Sequence, residues 1–207
     1  NHGLFKALLF LGAGSVLHAT GTREMSRLGG LWRAMPWTAS LFTLGAVAIC
    51  GLPPLNGFVS EWLVYLGLFD AAISHGHAAW AAIPAAIALA VTGALALACF
   101  SKMCGVVFLG APRSAAAEHA HECGPAMRGA MVVLAALCVT IGLAPVLFWP
   151  AVARAVEAWH PAWAAASIAT PLMSLMGFHI ALAALAAVGG WWLWRRAQRG
   201  LRRSLTW

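Results

Sequence analysis

Residues 37–69 form an apolar run that no straight helix can traverse, because Gly51-Leu52-Pro53-Pro54-Leu55-Asn56-Gly57-Phe58-Val59-Ser60-Glu61 lies in its middle. Two adjacent prolines remove backbone donors and clash with the turn before them, so a helix must stop here and start again. Four further runs, residues 2–19, 82–109, 130–149 and 172–194, are long enough to cross a bilayer. With 62% hydrophobic and 9% charged residues and a mean hydropathy of +0.82, the chain lies outside the range of a soluble domain. In hydrocarbon every backbone polar group needs an internal partner, and apolar runs of this length meet that demand as helices. The expected fold is an all-α polytopic transmembrane bundle with one discontinuous, Pro/Gly-broken helix.

Broken backbone at membrane depth survives only where protein covers it or water reaches it. Glu61 follows the break directly, and an ionisable group beside unwound backbone in a membrane is by default an ion or proton site. The plainer reading is a proline kink whose carboxylate reaches the interface. In the first run His2 and Lys6 stand at i and i+4, on one helix face, and an amine held out of water suits proton exchange. Lys6 and Glu61 both count to about 10 Å from the same membrane face, so an ion pair between them is expected. Lys102 lies near the end of its run, where a lysine stem can reach the interface. His18 reads as an interface residue. The candidate proton path is therefore Lys6, Glu61, His2, Lys102 and His18, with Gly51, Pro53, Pro54 and Gly57 forming the break.

The formal charge of +7 bears on topology and not on nucleic acid, for which no partner role is expected. If the five runs alternate, Arg23, Arg27, Arg33, Arg113, Arg128, Arg195, Arg196, Arg199, Arg202 and Arg203 fall on one side and only Arg154 on the other. The arginine side, with the C-terminus, is then cytoplasmic. The start Asn1-His2-Gly3 has neither Met nor a signal-type leader and reads as a fragment. Segment 150–171, with Trp159 and Trp163, reads as an amphipathic stretch on the surface, and Trp191, Trp192 and Trp194 before the arginines as an aromatic belt. Cys50, Cys99, Cys104, Cys123 and Cys138 read as small apolar fillers. Glu118-His119-Ala120-His121-Glu122-Cys123 is too crowded for a metal site, and none is expected. No nucleotide, haem, cluster or nucleophile motif is present, so neither catalytic residues nor cofactors are assigned.

Residues 1–16, Leu28-Gly29-Gly30-Leu31 and the break motif through Glu61, in that order, resemble one family. It comprises the antiporter-like, proton-translocating membrane subunits of respiratory complex I, Mrp antiporters and membrane-bound hydrogenases. His18 to Arg23 and Ser60 to Leu63 are most similar to the branch of hydrogenase-4 component B and formate hydrogenlyase. The specific match covers about residues 1–65, and the chain is then the C-terminal part of such a subunit. Residues 1–109 would complete the antiporter-like domain, and residues 110–207 would add further helices. The resemblance implies a proton-conducting row of lysine, histidine and glutamate, with His2 and Lys6 on the central helix of a repeat and Glu61 on the broken helix. It implies a non-redox membrane subunit of an oxidoreductase complex in the bacterial inner membrane, with other membrane and peripheral subunits as partners beside lipid and protons. The alternative is a cation/proton antiporter subunit of the Mrp type.

Overall fold

The computed structural model describes residues 1–73, 79–160 and 169–201. The described residues are helical, with no strand among them. In order they form α1 (His2–Thr20), a 3-10 turn (Met25–Arg27), α2 (Leu31–Ala34), α3 (Pro36–Ile49), α4 (Asn56–Ile73) and α5 (Ala79–Phe108). Then follow α6 (Ala115–Glu118), α7 (Pro125–Leu143), a second 3-10 turn (Pro145–Leu147), α8 (Trp149–Trp159) and α9 (Ala169–Leu201). Four helices, His2–Thr20, Ala79–Phe108, Pro125–Leu143 and Pro171–Gln198, are long and apolar enough to cross a membrane. The fifth expected run is divided at the double proline into α3 and α4. The chain packs as two compact units, residues 1–142 and 143–207, a division by packing rather than by the reach of the family resemblance.

In the first unit α1 lies along α3. Phe5, Leu8, Leu9, Gly12, Ser15 and Val16 repeat at helical spacing and form the buried stripe. Close approach depends on glycine on both helices. A Cβ on Gly12 would stand 2.7 Å from the Phe42 ring, and one on Gly45 would stand 3.2 Å from Leu9. Leu9, Phe42, Val107 and Phe108 belong to one buried cluster that also brings in α5, with the Phe42 and Phe108 rings 5.4 Å apart. Along the outer side of α5, Ile83, Ile87, Val91 and Leu95 stay exposed at i, i+4, i+8 and i+12, as a lipid-facing stripe does.

The loops flanking this core are tied to each other. Arg113 Nη1 donates to the carbonyls of Leu28 (2.8 Å) and Val106 (3.1 Å). Ser114 Oγ donates to the Arg27 carbonyl (2.8 Å), and the Gly30 amide to the Leu109 carbonyl (2.9 Å). The Arg128 guanidinium lies 5.7 Å over the Trp37 ring, an interfacial anchor.

In the second unit α8 covers only the first part of the stretch expected over 150–171, with Ala153 buried and Trp159 exposed. Trp163 lies outside the described residues, as do Arg202 and Arg203. On α9 Arg195 sits 4.0 Å over Trp191 and Arg196 sits 5.3 Å over Trp192. Each pair is four residues apart, so the cation caps the aromatic one turn before it.

Candidate functional site

The break is closed by the chain itself. Gly51 takes φ +63°, a conformation open to glycine at little cost. Its amide donates to the Ala48 carbonyl (3.1 Å) and the next amide, Leu52, donates to Val47 (3.3 Å), which is the Schellman pattern that satisfies a helix end. The Pro53-Pro54 bond is cis. Beyond it, α4 starts against α3 and α7 with no room to spare. A Cβ on Gly57 would meet the Ala48 carbonyl oxygen at 1.7 Å, and one on Gly142 would meet the Pro54 carbonyl oxygen at 2.1 Å. The Asn56 carbonyl accepts from Asn1 Nδ2 (3.0 Å). The Asn56 amide is fully buried and finds no ordinary hydrogen bond among the described residues, with the Cys138 thiol as its polar neighbour.

Glu61, one turn into α4, is half-buried and folds back over this turn. A Cβ on Gly51 would fall 1.8 Å from Glu61 Oε2, and one on Gly93 of α5 would fall 3.4 Å from Oε1. Two cavities, of about 280 and 250 Å³, open beside the carboxylate. Gly93 precedes Phe108 by fifteen residues, which places the carboxylate about 22 Å from the end of α5 that meets the arginine loops.

The structure keeps the remaining sequence-predicted residues apart. Lys6 is exposed on α1, outside its buried stripe, with Nζ 5.9 Å from the centre of the Phe10 ring. It lies fourteen residues from Thr20, about 21 Å, so it shares a depth with Glu61 but not a face. The expected ion pair is not formed, because Phe5 and not Lys6 is the α1 residue that borders the Glu61 cavity. His2 is exposed beside Lys6, its ring against Phe5 at 5.3 Å. His18 is exposed and meets His121 with ring centres 6.5 Å apart. Lys102 is exposed on α5.

Sequence reasoning missed several polar groups. Asn56 is one; a polar residue at the restart of a broken apolar run could have flagged it. His179 on α9 is another, fully buried within an apolar run read only for its terminal belt. The third is Glu122. It accepts from the Trp37 amide (2.8 Å), the Thr38 amide (3.3 Å), the Thr38 hydroxyl and the Cys123 amide (3.1 Å). Thr38 in turn meets Ser15 Oγ at 2.9 Å, both fully buried. Burial pushes the Glu122 carboxyl up, but the Thr38 hydroxyl and the three amides outweigh it and hold it below the usual carboxylate range. His119 Nδ1 is taken up by the Ala115 carbonyl (2.9 Å).

Residues 1–88 match the family model described as "NADH:quinone oxidoreductase/Mrp antiporter, TM". The chain is 42% identical over 217 aligned residues to hydrogenase-4 component B of Escherichia coli, an alignment covering 98% of this chain and 32% of that protein. It is 46% identical over 143 residues to formate hydrogenlyase subunit 3 of the same organism, covering 69% of this chain and 23% of that protein. The chain thus spans a third or less of the curated relatives it matches. A chain of the Mrp complex from Dietzia sp. DQ12-45-1b shares the fold with a TM-score of 0.60 at 22% identity, over 71% of this chain and 34% of that one.

Proposed function

From the match of residues 1–88 to the transmembrane family model of NADH:quinone oxidoreductase and Mrp antiporter subunits, we propose that this chain is part of a proton-translocating membrane subunit of a redox-driven complex. The complex is of the hydrogenase-4 or formate hydrogenlyase type, in the bacterial cytoplasmic membrane, with the C-terminus cytoplasmic. What carries the reading is Glu61, a carboxylate at membrane depth on a broken helix, bordered by two cavities and by small residues in place of a cation. It takes up and releases protons there. His2 and Lys6 present an exposed pair at the same depth and pass protons to protein beyond this chain. Lys102 and His18, near the arginine loops, exchange them with the cytoplasm. Electron transfer is assigned to partner subunits of the complex. The sequence identities of 42% and 46% to the two hydrogenase-type subunits support this over the cation/proton antiporter reading.

The test is made in membrane vesicles holding the full-length protein with its co-purifying subunits. Glu61→Gln is expected to abolish redox-driven proton translocation at normal assembly, and Glu61→Asp to retain part of it. Undiminished translocation by Glu61→Gln would remove the proposal. Sodium-dependent exchange without a redox donor would favour the antiporter instead.

A further inference from the structure

The two cavities beside Glu61 share part of their lining. The first is bordered by Cys50, Phe58, Trp62, Tyr65, Ala90 and Leu97 among others, and the second by Phe5, Ile49, Ser60, Val64, Thr92 and Ala96 among others. Three residues line both, and they are Gly51, Glu61 and Gly93. Among the described residues Glu61 is the one side chain beyond glycine that lines both. The two glycines that line both have no side chain to hold the carboxylate still or to block its passage.

Resting on the proton-translocating reading above, we infer that Glu61 is a two-position gate between these cavities, and that Gly93 is the positioning residue that leaves it room to swing. Each cavity offers volume for several waters, at about 30 Å³ each, and hydroxyls to orient them: Tyr65 in the first, Ser60 and Thr92 in the second. The Ser60 and Thr92 hydroxyls donate along their own helices, to Gly57 (3.0 Å) and Ala88 (2.8 Å), and keep lone pairs for a water. In one position the carboxylate accepts a proton from a hydronium in the facing cavity, one O–H bond forming as another breaks. The neutral acid then turns past Gly93 and gives the proton to a water on the far side. The crossing is made by the neutral form because a carboxylate moved between apolar walls would lose its solvation. Gly51 cannot be varied cleanly, since its φ of +63° strains any other residue. Gly93 can be, since it is helical and its missing Cβ lies 3.4 Å from Oε1, ordinary contact.

The experiment compares Gly93→Ala, Gly93→Leu and Glu61→Gln in the full-length protein within its complex. It measures assembly, proton translocation, and modification of Glu61 by a hydrophobic carbodiimide, which reports that the carboxyl is present and reachable. Gly93→Leu is expected to cut translocation at least about tenfold, as misplacement of an exchanging group does, with Glu61 still modified and the complex intact. Gly93→Ala is expected to slow it by a smaller factor. Wild-type translocation in Gly93→Leu would overturn the gate. If Gly93→Leu fails to assemble, a wild-type rate in Gly93→Ala would overturn it instead. Loss of translocation in Glu61→Gln together with a normal rate in both Gly93 variants would sink the gate alone, whereas normal translocation in Glu61→Gln would sink the functional reading beneath it.

Discussion

Glu122 receives hydrogen bonds from a helix start 84 to 85 residues upstream, so it acts as a cap delivered from another part of the chain. The first amides of α3 lack intrahelical partners, and a carboxylate both accepts from them and complements the positive helix end. Its folded acid strength is raised by these bonds, so the stabilisation is fully present above the unfolded value of about 4.3 and disappears as pH falls through the lower folded value. Glu122→Gln in detergent-solubilised protein is therefore expected to lower stability at pH 7 by about 1 kcal/mol, a value kept small by partial solvent screening. The gap to wild type should close as the pH is taken below about 4. A gap of the same size at every pH would show that the charge is not involved. None of this was legible in the sequence, where Glu122 sits among histidines and a cysteine that suggest a metal before a cap. Glu61 was legible because the double proline points to it. The Gly93 partner was not, since an apolar run does not say which of its glycines faces the carboxylate.

At the scale of the elements, the apolar runs set where helices lie, and the prolines set where one must end. What the pattern could not carry was how the ends are held together. Leu52 and Gly51 bond back to α3, and the restart of α4 is pressed against Ala48 and Gly142, contacts made through backbone atoms that have no side-chain signature. Gly57 is thus a closer constraint than either proline. Gly57→Ala places a methyl 1.7 Å from the Ala48 oxygen, and α3 and α4 must part to admit it. The expected cost is about 1–3 kcal/mol, as for other overpacked sites, read as a lower thermal midpoint and folded yield. Gly14→Ala, with nothing within 4 Å of its Cβ, serves as the matched control and should be neutral. Equal behaviour of the two would mean that the break is looser than its geometry implies. Lys6 marks the other limit of pattern reading, because residue counting gave its depth while the face it presents was decided by which stripe of α1 packs on α3.

For the whole molecule, sidedness follows from the bonds between loops. Leu28 and Arg27 are held by Arg113 and Ser114, and Thr38 is held by Glu122, so the loops before α3 and after α5 share one side. The chain between them runs through α3, α4 and α5. With α5 crossing once, α3 and α4 together make a single crossing and not two. The arginines agree. One joint crossing divides them ten to one, whereas separate crossings would divide them seven to four, a bias too weak to orient a membrane protein. Reporters fused after Arg33, after Ser114 and after Gln198 should therefore all read cytoplasmic, and one after His160 external. Opposite readings at Arg33 and Ser114 would break the parity argument, and the loop bonds with it. The same reading at both, but external, would leave the fold intact and reverse the orientation, so that the exposed histidine pair His18 and His121 would face the outside and the proposed proton route past Glu61 would run the other way.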